Sequence, residues 1–400
     1  MILALNVIMT IIFLLPIMLS IVFVLERKKT LKRLSEINSP YTPFVTVVVP
    51  FKGEDYRFED TLKSLVKQNY SGQYEVIFTS SDSEGKTIDI LKIWIPRYSN
   101  MFFIPSTIDS RFENRGDKIN NLLTGVKNAS AQSQVFLFLD SDMVVHKHWI
   151  NNMVKPLQLE NCGLSSGSAW VVAKKKGTWE LATRYWDFLA ATQITFPFTS
   201  FARGLSMGIR RDVYEKLNID KVWNEAFHDN FTLSKTVRNN KYKIIYAPYA
   251  IIEENFDIEG FQWVSWVKRQ SVHTRIHYKK LWAFGFFLIT LPRLLGALLF
   301  IAMIGLGVFF QGVFQTWFSI VLWPLFHILN AICIVVCVYP DTKHVDGNVM
   351  SLREKTKLVF ASYLSVILSI GSVWAVFSNK ITWRKIKYQK NISIKSEKKI

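Results

Sequence analysis

The chain has 400 residues, half of them hydrophobic, and a formal net charge of +18 at pH 7. Long uncharged runs combined with this basicity exclude an ordinary soluble domain and a nucleic-acid binder, and are typical of a membrane protein beside anionic lipid headgroups. The 3 cysteines predict no disulfide framework, and we interpret Cys333 and Cys337, four apart in an apolar run, as packing residues.

The first predicted element is a membrane span near the N-terminus. Residues 7–25 carry no charge and are long enough to cross a hydrocarbon core of about 30 Å. No Lys or Arg precedes them and no small-residue cleavage site follows, so the pattern is not that of a signal peptide. The basic segment ERKKTLKR at 26–33 comes directly afterwards, and the positive-inside rule places it in the cytoplasm.

Residues 41–280 are predicted to form a cytoplasmic α/β domain, with the anchor and its basic linker in residues 1–40. Apolar, β-branched runs of strand length are FVTVVVPF at 44–51, YEVIFTS at 74–80, VFLFLD at 135–140 and KIIYAP at 243–248. A segment with helical spacing, DTLKSLVKQ at 60–68, separates the first two. This alternation predicts a mostly parallel, doubly wound sheet.

Apolar segments return in residues 281–400, which we interpret as a C-terminal membrane bundle with a basic tail. Three further spans are predicted, at 282–311, 317–339 and 358–377. The loop at 340–357 contains basic residues and should therefore be cytoplasmic. Four crossings would put the basic tail outside, against the charge rule. Either the last segment does not cross fully, or the tail is an exception.

Two carboxylates follow the third predicted strand. FLFLDSDMVV at 136–145 places Asp140 and Asp142 directly after an apolar run. Open α/β sheets bind ligands at the carboxyl ends of their strands, and Mg²⁺ is often held by one or two carboxylates together with substrate phosphates. The pattern is short and common, so an acidic turn explains it equally well.

Two more polar residues lie at comparable positions. Asp82 follows the second strand, where its carboxylate could bind a base edge or a ribose. Lys118 opens a helix in RGDKINNLLTGVKNA, where the positive helix end would favour a phosphate. Taken singly, a turn aspartate and a solvated lysine are the plainer interpretations.

Several motifs occur in one order: PFVTVVVPFKGED, GDKINN, FLFLDSD, GLSMGIRRDVY and HDNFTLSKTVRNNKYKIIYAP. Together with Asp82, they resemble a family 2 glycosyltransferase of the GT-A fold, and most closely the ceramide glucosyltransferase branch. ITWRKIKY at 381–388 is similar to the W-R-x-x-x-Y ending of that branch. The resemblance covers residues 44–390 and implies a doubly wound mixed sheet between N-terminal and C-terminal transmembrane helices.

The resemblance also implies roles for the residues that match the family's motifs. Lys52, Asp82, Lys118 and Asp140 would contact the nucleotide-sugar. Asp140 and Asp142 would hold a Mg²⁺ or Mn²⁺ ion that bridges its diphosphate. Such a metal neutralises charge as the nucleoside diphosphate leaves.

The general-base motif departs from the family pattern. Where the family has Glu-Asp or Asp-Asp, this chain has Asp229-Asn230, which puts an amide at the base position. An amide cannot accept a proton, so Asp229 is the catalytic candidate. His228 is a second one, because imidazole exchanges protons near neutral pH. The alternatives are a register shifted by one residue, a structural role for His228, and an inactive chain.

A second departure lies in the membrane-proximal Q/R-x-x-R-W motif, which we align with RQSVHTR at 269–275. Gln270 can take the first position, but His273 and Thr274 replace Arg-Trp. Arg269 and Arg275 could still supply positive charge to the leaving phosphates. Upstream, the aromatic segment at 179–201 is either a core helix or, as we favour, an amphipathic segment at the membrane surface that admits a lipid.

The sequence therefore predicts an inverting glycosyltransferase, a multi-pass integral membrane protein that uses a nucleotide-sugar, UDP-linked by resemblance. Its acceptor would be a lipid at the cytoplasmic face of the bilayer, and nucleic acid is not an expected partner. A processive polysaccharide synthase is less favoured, because such enzymes keep Q-x-x-R-W and have more spans. A non-catalytic scaffold is supported only by Asn230 and opposed by Asp82, Asp140 and Asp142.

Overall fold

The computed structural model describes residues 2–38, 40–107, 115–172, 177–255, 260–309, 314–342, 350–378, 380–383 and 386–389. The strands are β1 Val45–Pro50, β2 Tyr74–Ser80, β3 Met101–Pro105, β4 Val135–Leu139, β5 Met143–Val145, β6 Cys162–Val172, β7 Ser206–Arg210, β8 Lys243–Asn255, β9 Lys380–Trp383 and β10 Ile386–Gln389.

The helices begin with α1 Ile2–Ser35, α2 Phe58–Val66, α3 Lys86–Trp94, α4 Asp117–Lys127, α5 Trp149–Val154, α6 Thr178–Thr195, α7 Arg211–Lys216 and α8 Ile219–Asn224. They continue with α9 Asp229–Asn239, α10 Gly260–His277, α11 Lys279–Gly285, α12 Leu291–Phe309, α13 Phe314–Thr342, α14 Leu352–Ala361 and α15 Ser365–Val376. A π-helical turn at Phe286–Thr290 joins α11 to α12.

Eight of the described strands form one mixed sheet in the order β3-β2-β1-β4-β7-β6-β8-β5. β3, β2, β1 and β4 are parallel, whereas β7 runs antiparallel to both β4 and β6. The α/β class is confirmed. The predicted strands did not include β3, β5, β6 and β7. Of these, CGLSSGSAWVV in β6 and SMGIR in β7 are rich in small residues and lack the β-branched runs that mark a strand.

Strand β1 is buried along its whole length because helices cover both faces of the sheet. Val47 and Val49 lie in the core that includes α2, α3 and α5, and Val48 lies in the core that includes α4, α8 and α9. A Cβ at Gly125 of α4 would lie 2.3 Å from Cγ1 of Val48, so only glycine allows this close approach. The contact fixes α4, and with it Lys118, against the sheet.

The helices outside the sheet begin with α1, which packs parallel to α13. Ser20 contacts Asn330, and about two turns further along α1 and three turns further along α13 Arg27 forms a buried ion pair with Asp341. The hydroxyl of Tyr246, on β8, donates a hydrogen bond to the same carboxylate at 3.0 Å. The basic end of α1, the end of α13 and the sheet therefore meet at one point.

Two helical segments within the described residues are long and apolar enough to cross a membrane, Lys279–Ala302 and Leu352–Val376. This criterion uses length and composition only, and a core helix of a soluble protein can also meet it. The predicted spans at 7–25 and 317–339 fall within helices α1 and α13. Part of the predicted cytoplasmic loop, residues 343–349, lies outside the described residues.

The last apolar segment is divided into α14 and α15, which pack against helices of the central domain. α14 contacts α6, and α15 lies along α10. A Cβ at Gly371 of α15 would lie 2.7 Å from the carbonyl oxygen of Val264, so the two helices touch at the backbone. Beyond α15, the strand pair β9–β10 begins beside α10.

Candidate active site

One cavity of about 550 Å³ begins at the carboxyl ends of β1 and β4 and continues between α6, α10, α11, α12 and α15. Its sheet end is charged and is lined by Lys52, Asp117, Lys118, Asp140, Asp142, Asp229 and Glu254. Its helical end is lined mostly by aromatic and aliphatic side chains. The fold thus joins a charged site and an apolar passage in one space.

Lys118 is at the centre of the charged end. Its Nζ lies 2.6 Å from Oδ1 of Asp140 and 3.0 Å from Oδ2 of Asp229, and it donates a hydrogen bond to the carbonyl oxygen of Gly204 at 3.1 Å. Burial alone would lower the pKa of Lys118, but the two carboxylates raise it above its usual value. The ammonium therefore stays charged and links the end of β4 to the start of α9.

Asp229 is the first residue of α9 and is only 5% exposed. Burial by itself would raise its pKa, but Lys118 and His228 outweigh burial and hold the pKa well below the usual range. The Nδ1 atom of His228 lies 3.5 Å from Oδ1 of Asp229. Asp229 is therefore ionised at neutral pH, which is the state a proton acceptor needs.

Asn230 has different contacts from Asp229. Its Nδ2 donates a hydrogen bond to the carbonyl oxygen of Ala202 at 2.8 Å, which ties the amide to the backbone before β7. The carboxylate of Asp229, in contrast, lies in the charged cluster with Lys118 and Asp140. Both side chains line the cavity, but Asp229 has the charged contacts expected of a catalytic group.

A divalent cation fits the acidic groups at the end of β4. Asp140 and Asp142 line the cavity, and Met143 pairs with Glu254 across strands β5 and β8. Burial, together with the charges of Asp187, Asp142 and Asp140, raises the pKa of Glu254 to about 8, although Arg203 opposes this. A cation beside Asp140 and Asp142 would offset the part of this shift that their charges cause.

No group of three or more His, Cys, Asp or Glu side chains within the described ranges is arranged to hold a metal by itself. Two carboxylates would therefore have to share the ion with phosphate oxygens and water. That donor set is the one Mg²⁺ uses at phosphate sites.

Residues 8–397 match the family model of glycosyl transferase family 21. The chain belongs to this family. It is therefore a glycosyltransferase, and the family supports transfer from a nucleotide-sugar. The predicted ceramide glucosyltransferase branch is consistent with this result. The matched family is family 21, whereas the order of the motifs had suggested family 2.

Two individual proteins are also similar. Glycosyltransferase AglE of Haloferax volcanii is 24% identical over 176 residues, which are 43% of this chain and 54% of that protein. The match spans about half the length of this relative. Mannosyltransferase PcManGT from Pyrobaculum calidifontis, solved in complex with GDP-Man and Mn²⁺, is 16% identical, with a TM-score of 0.48 over 92% of this chain and 98% of that one.

In this family 21 member, Lys52 and Asp82 lie at the same sheet edge as Asp140. Lys52 lines the cavity and forms an ion pair with Asp117. Oδ2 of Asp82 accepts a hydrogen bond from the backbone N–H of Gly53 at 2.6 Å, which joins the loops after β1 and β2. Asp82 is not among the residues that line the cavity as described.

The residues aligned with the Q/R-x-x-R-W motif separate into two groups. Arg269 and Gln270 line the cavity. Burial lowers the pKa of Arg269, and none of the described carboxylates forms an ion pair with it. Arg275 points elsewhere, and its Nη2 donates a hydrogen bond to the carbonyl oxygen of Ser378 at 2.7 Å. The structure therefore brings Arg269, and not Arg275, to the site.

A histidine cluster beside Asp229 was not foreseen from the sequence. The ring centroid of His228 lies 4.5 Å from that of His273 and 5.4 Å from that of His277. The ring of Phe227 stacks on His273 and on His277. Burial, with the nearby His228 and His277, lowers the pKa of His273 to about 2. A neutral ring thus stands where the family motif has arginine. The four-residue spacing of His273 and His277 was the available signal.

Proposed function

We propose that this glycosyltransferase moves a sugar, with inversion, from a UDP-sugar to a lipid at the cytoplasmic face of a membrane. The observation that carries the proposal is the single cavity that is charged at the sheet end and apolar between the helices. A soluble acceptor would not require an apolar passage of this kind. The choice of UDP rests on the resemblance to ceramide glucosyltransferases.

The donor would bind at the charged end of the cavity. Asp140 and Asp142 would hold a divalent cation, which when bound neutralises the diphosphate as it leaves. Lys52 and Arg269 line the same space and can contact phosphate oxygens from two sides. Lys118, already within 2.6 Å of Asp140, is a third cation at this end.

Asp229 would act as the general base. It is ionised and lies in the same cluster as Asp140, so an acceptor hydroxyl beside it would also be beside the donor. The proton of that hydroxyl would pass to the carboxylate while the oxygen bonds to the anomeric carbon and the bond from that carbon to the diphosphate breaks. A diphosphate that draws Lys118 towards itself would raise the pKa of Asp229 and strengthen it as a base.

The acceptor would enter through the helical end of the cavity. The side chains on this path come from α6, the segment after it, α10, α11 and the π-helical turn: Trp186, Leu189, Phe201, Trp266, Trp282, Phe286 and Ile289. Such a lining can bind an acyl or isoprenoid chain, because removing apolar surface from water contributes about 25 cal/mol of binding free energy per Å². This lining agrees with the interpretation that residues 179–201 admit a lipid, although most of α6 is buried in the core, as the core-helix alternative expects.

The test is a transfer assay in detergent with a panel of UDP-sugars and a total lipid extract. We expect radiolabel from one donor to enter the organic phase, in a product that grows by one sugar. Label in a long water-soluble polymer would instead support a polysaccharide synthase. No transfer with any donor, alongside intact folding, would favour the scaffold alternative.

We also propose three crossings, α1, the segment 279–309 and α13, with residues 352–378 lying along the catalytic domain. Parallel α1 and α13 cross in the same direction, and the Arg27–Asp341 pair with Tyr246 joins their ends to the sheet. α15 lies along α10, which contains Lys268, Arg269 and Arg275 and is too polar to span a bilayer. The basic tail would then be cytoplasmic, in agreement with the charge rule.

This topology predicts which positions an external reagent can reach. Leu352 is 80% exposed, and unlike the neighbouring Ser351 its side chain does not cap α14, so Leu352→Cys should fold normally. In a variant without the native cysteines, a membrane-impermeant thiol reagent should label Cys at 352 only after sealed right-side-out vesicles are opened. Labelling of the intact vesicles would contradict the proposed layout.

A further inference from the structure

We infer that Arg293 forms an anion-binding subsite at the helical end of the cavity, and that the lipid acceptor carries a phosphate or a similar anionic group. The inference rests on the proposed function, because it names the class of lipid used by the same cavity. The bound group belongs to the acceptor and is separate from the diphosphate of the donor, which the carboxylate end of the cavity would hold through its cation.

The first observation is the burial of a charge with no opposite charge beside it. Arg293 lies near the start of α12, inside the apolar segment Lys279–Ala302, and lines the cavity while only 8% exposed. Its Nε has no hydrogen-bond partner. Among the described residues, no carboxylate lies within ion-pair distance of its guanidinium. Burying an unpaired charge costs free energy unless a ligand of opposite charge binds to it.

The second observation is the chemistry around the guanidinium. Three hydroxyl residues line the same cavity within the apolar segments: Thr290, Ser369 and Ser372. Thr290 precedes Arg293 by three residues, and Ser369 precedes Ser372 by three, so each pair lies on one helix face. Tyr185 of α6 is also beside Arg293, but a neutral phenol does not balance a positive charge. Hydroxyls that share a cavity with one guanidinium are a suitable set of donors for a phosphate.

The third observation is the π-helical turn at Phe286–Thr290, immediately before α12. Wide turns of this kind are rare and occur frequently at functional sites. Here the turn ends at Thr290, next to the residues that line the passage. The local distortion and the buried charge therefore occur at the same place in the cavity.

The geometry separates the acceptor's two polar groups. An attacking hydroxyl would lie at Asp229, in the charged cluster, and an anionic group would lie further into the helices at Arg293. A phospholipid with a free headgroup hydroxyl carries both of these groups. A neutral lipid such as ceramide or diacylglycerol has the hydroxyl but would leave Arg293 uncompensated, which makes the two lipid classes distinguishable in an assay.

The experiment compares phosphatidylglycerol with diacylglycerol as acceptors in detergent micelles, for the unmodified protein and for Arg293→Gln. We expect the unmodified protein to prefer phosphatidylglycerol. Arg293→Gln should raise the KM for phosphatidylglycerol at least about tenfold, which is the loss expected for a charged hydrogen bond, and should change diacylglycerol transfer less than threefold. Arg293→Lys, which keeps the charge but not the planar fork, should recover part of the preference.

The control variant is Lys280→Gln, which removes a positive charge from an exposed position of α11 and should leave the preference unchanged. A second measurement, thermal unfolding with and without lipid, does not depend on transfer. Phosphatidylglycerol should stabilise the unmodified protein more than diacylglycerol does, and Arg293→Gln should lose that difference. If inorganic phosphate alone gives the full stabilisation, the site binds free phosphate and the assignment to a lipid is overturned.

The outcomes separate this inference from the proposed function. If both lipids accept sugar equally and Arg293→Gln affects them equally, the lipid transferase stands and the anion subsite is overturned. If neither these lipids nor the total lipid extract accept sugar, the proposed function fails, and the unfolding measurement still decides whether Arg293 binds an anionic lipid. An unfolding shift that is the same in Arg293→Gln overturns the subsite.

Discussion

Asp229→Asn should lower the turnover number at least about a hundredfold, the lower end of what a general base contributes, with donor affinity nearly unchanged. The substitution keeps the shape of the side chain but removes its ability to accept a proton. The Asp229 carboxylate lies 3.0 Å from Lys118, in the cluster with Asp140, so its loss affects the chemical step directly. Steady-state kinetics with the identified donor checks the turnover number, and a separate binding measurement checks the donor affinity.

Two neighbouring variants serve as controls for the base. His228→Ala should cost much less activity, because its Nδ1 is 3.5 Å from the carboxylate and supports it only indirectly. Asn230→Asp should leave the turnover of the folded protein largely unchanged, since Asp229 keeps its contacts. It should lower the free energy of unfolding, because a carboxylate cannot donate the hydrogen bond that the amide gives to the carbonyl of Ala202. A fully active Asp229→Asn beside a dead His228→Ala would identify histidine as the base and refute this assignment.

Asp142→Ala should abolish transfer while the protein remains folded. The side chain lines the cavity and is not part of the apolar core, so its removal mainly affects the divalent cation that we propose it holds with Asp140. EDTA should abolish transfer in the unmodified protein, and added Mg²⁺ or Mn²⁺ should restore it. The same ions should raise the thermal unfolding temperature of the unmodified protein in the presence of UDP, and not that of Asp142→Ala.

Asp89→Ala is the matched control for the metal prediction. It also removes one carboxylate, but from the exposed face of α3, outside the cavity. It should keep full activity and the normal response to metal. Full transfer in EDTA, or an Asp142→Ala variant as active as Asp89→Ala, would contradict the assignment of Asp140 and Asp142.

The sequence by itself determined the parallel half of the sheet and the polar residues at its edge. β1, β2 and β4 are continuous apolar runs because they are covered on both faces, and such runs are visible without any tertiary information. Asp82 and Asp140 follow two of these strands. Parallel strands end at one edge, so their convergence could be expected from chain order alone. The same motifs suggested a glycosyltransferase of the ceramide glucosyltransferase branch.

Only the tertiary structure decided how the charged side chains are paired. Lys118 meets two carboxylates, Arg275 turns away to Ser378, and Arg27 reaches Asp341, 314 positions along the chain. The pairing of a single charged residue leaves no periodic pattern in the sequence, so hydrophobic periodicity does not predict it. Their partners depend on which helix packs on which, as α15 does on α10.

The same reason explains Arg293. In the sequence it is one basic residue that interrupts an apolar run. Its burial without a described carboxylate, in a cavity that also contains Asp229, results from the five helices that pack together around the passage. The charge of a residue can be read from the sequence, but whether that charge is compensated depends on the environment that the whole chain builds around it.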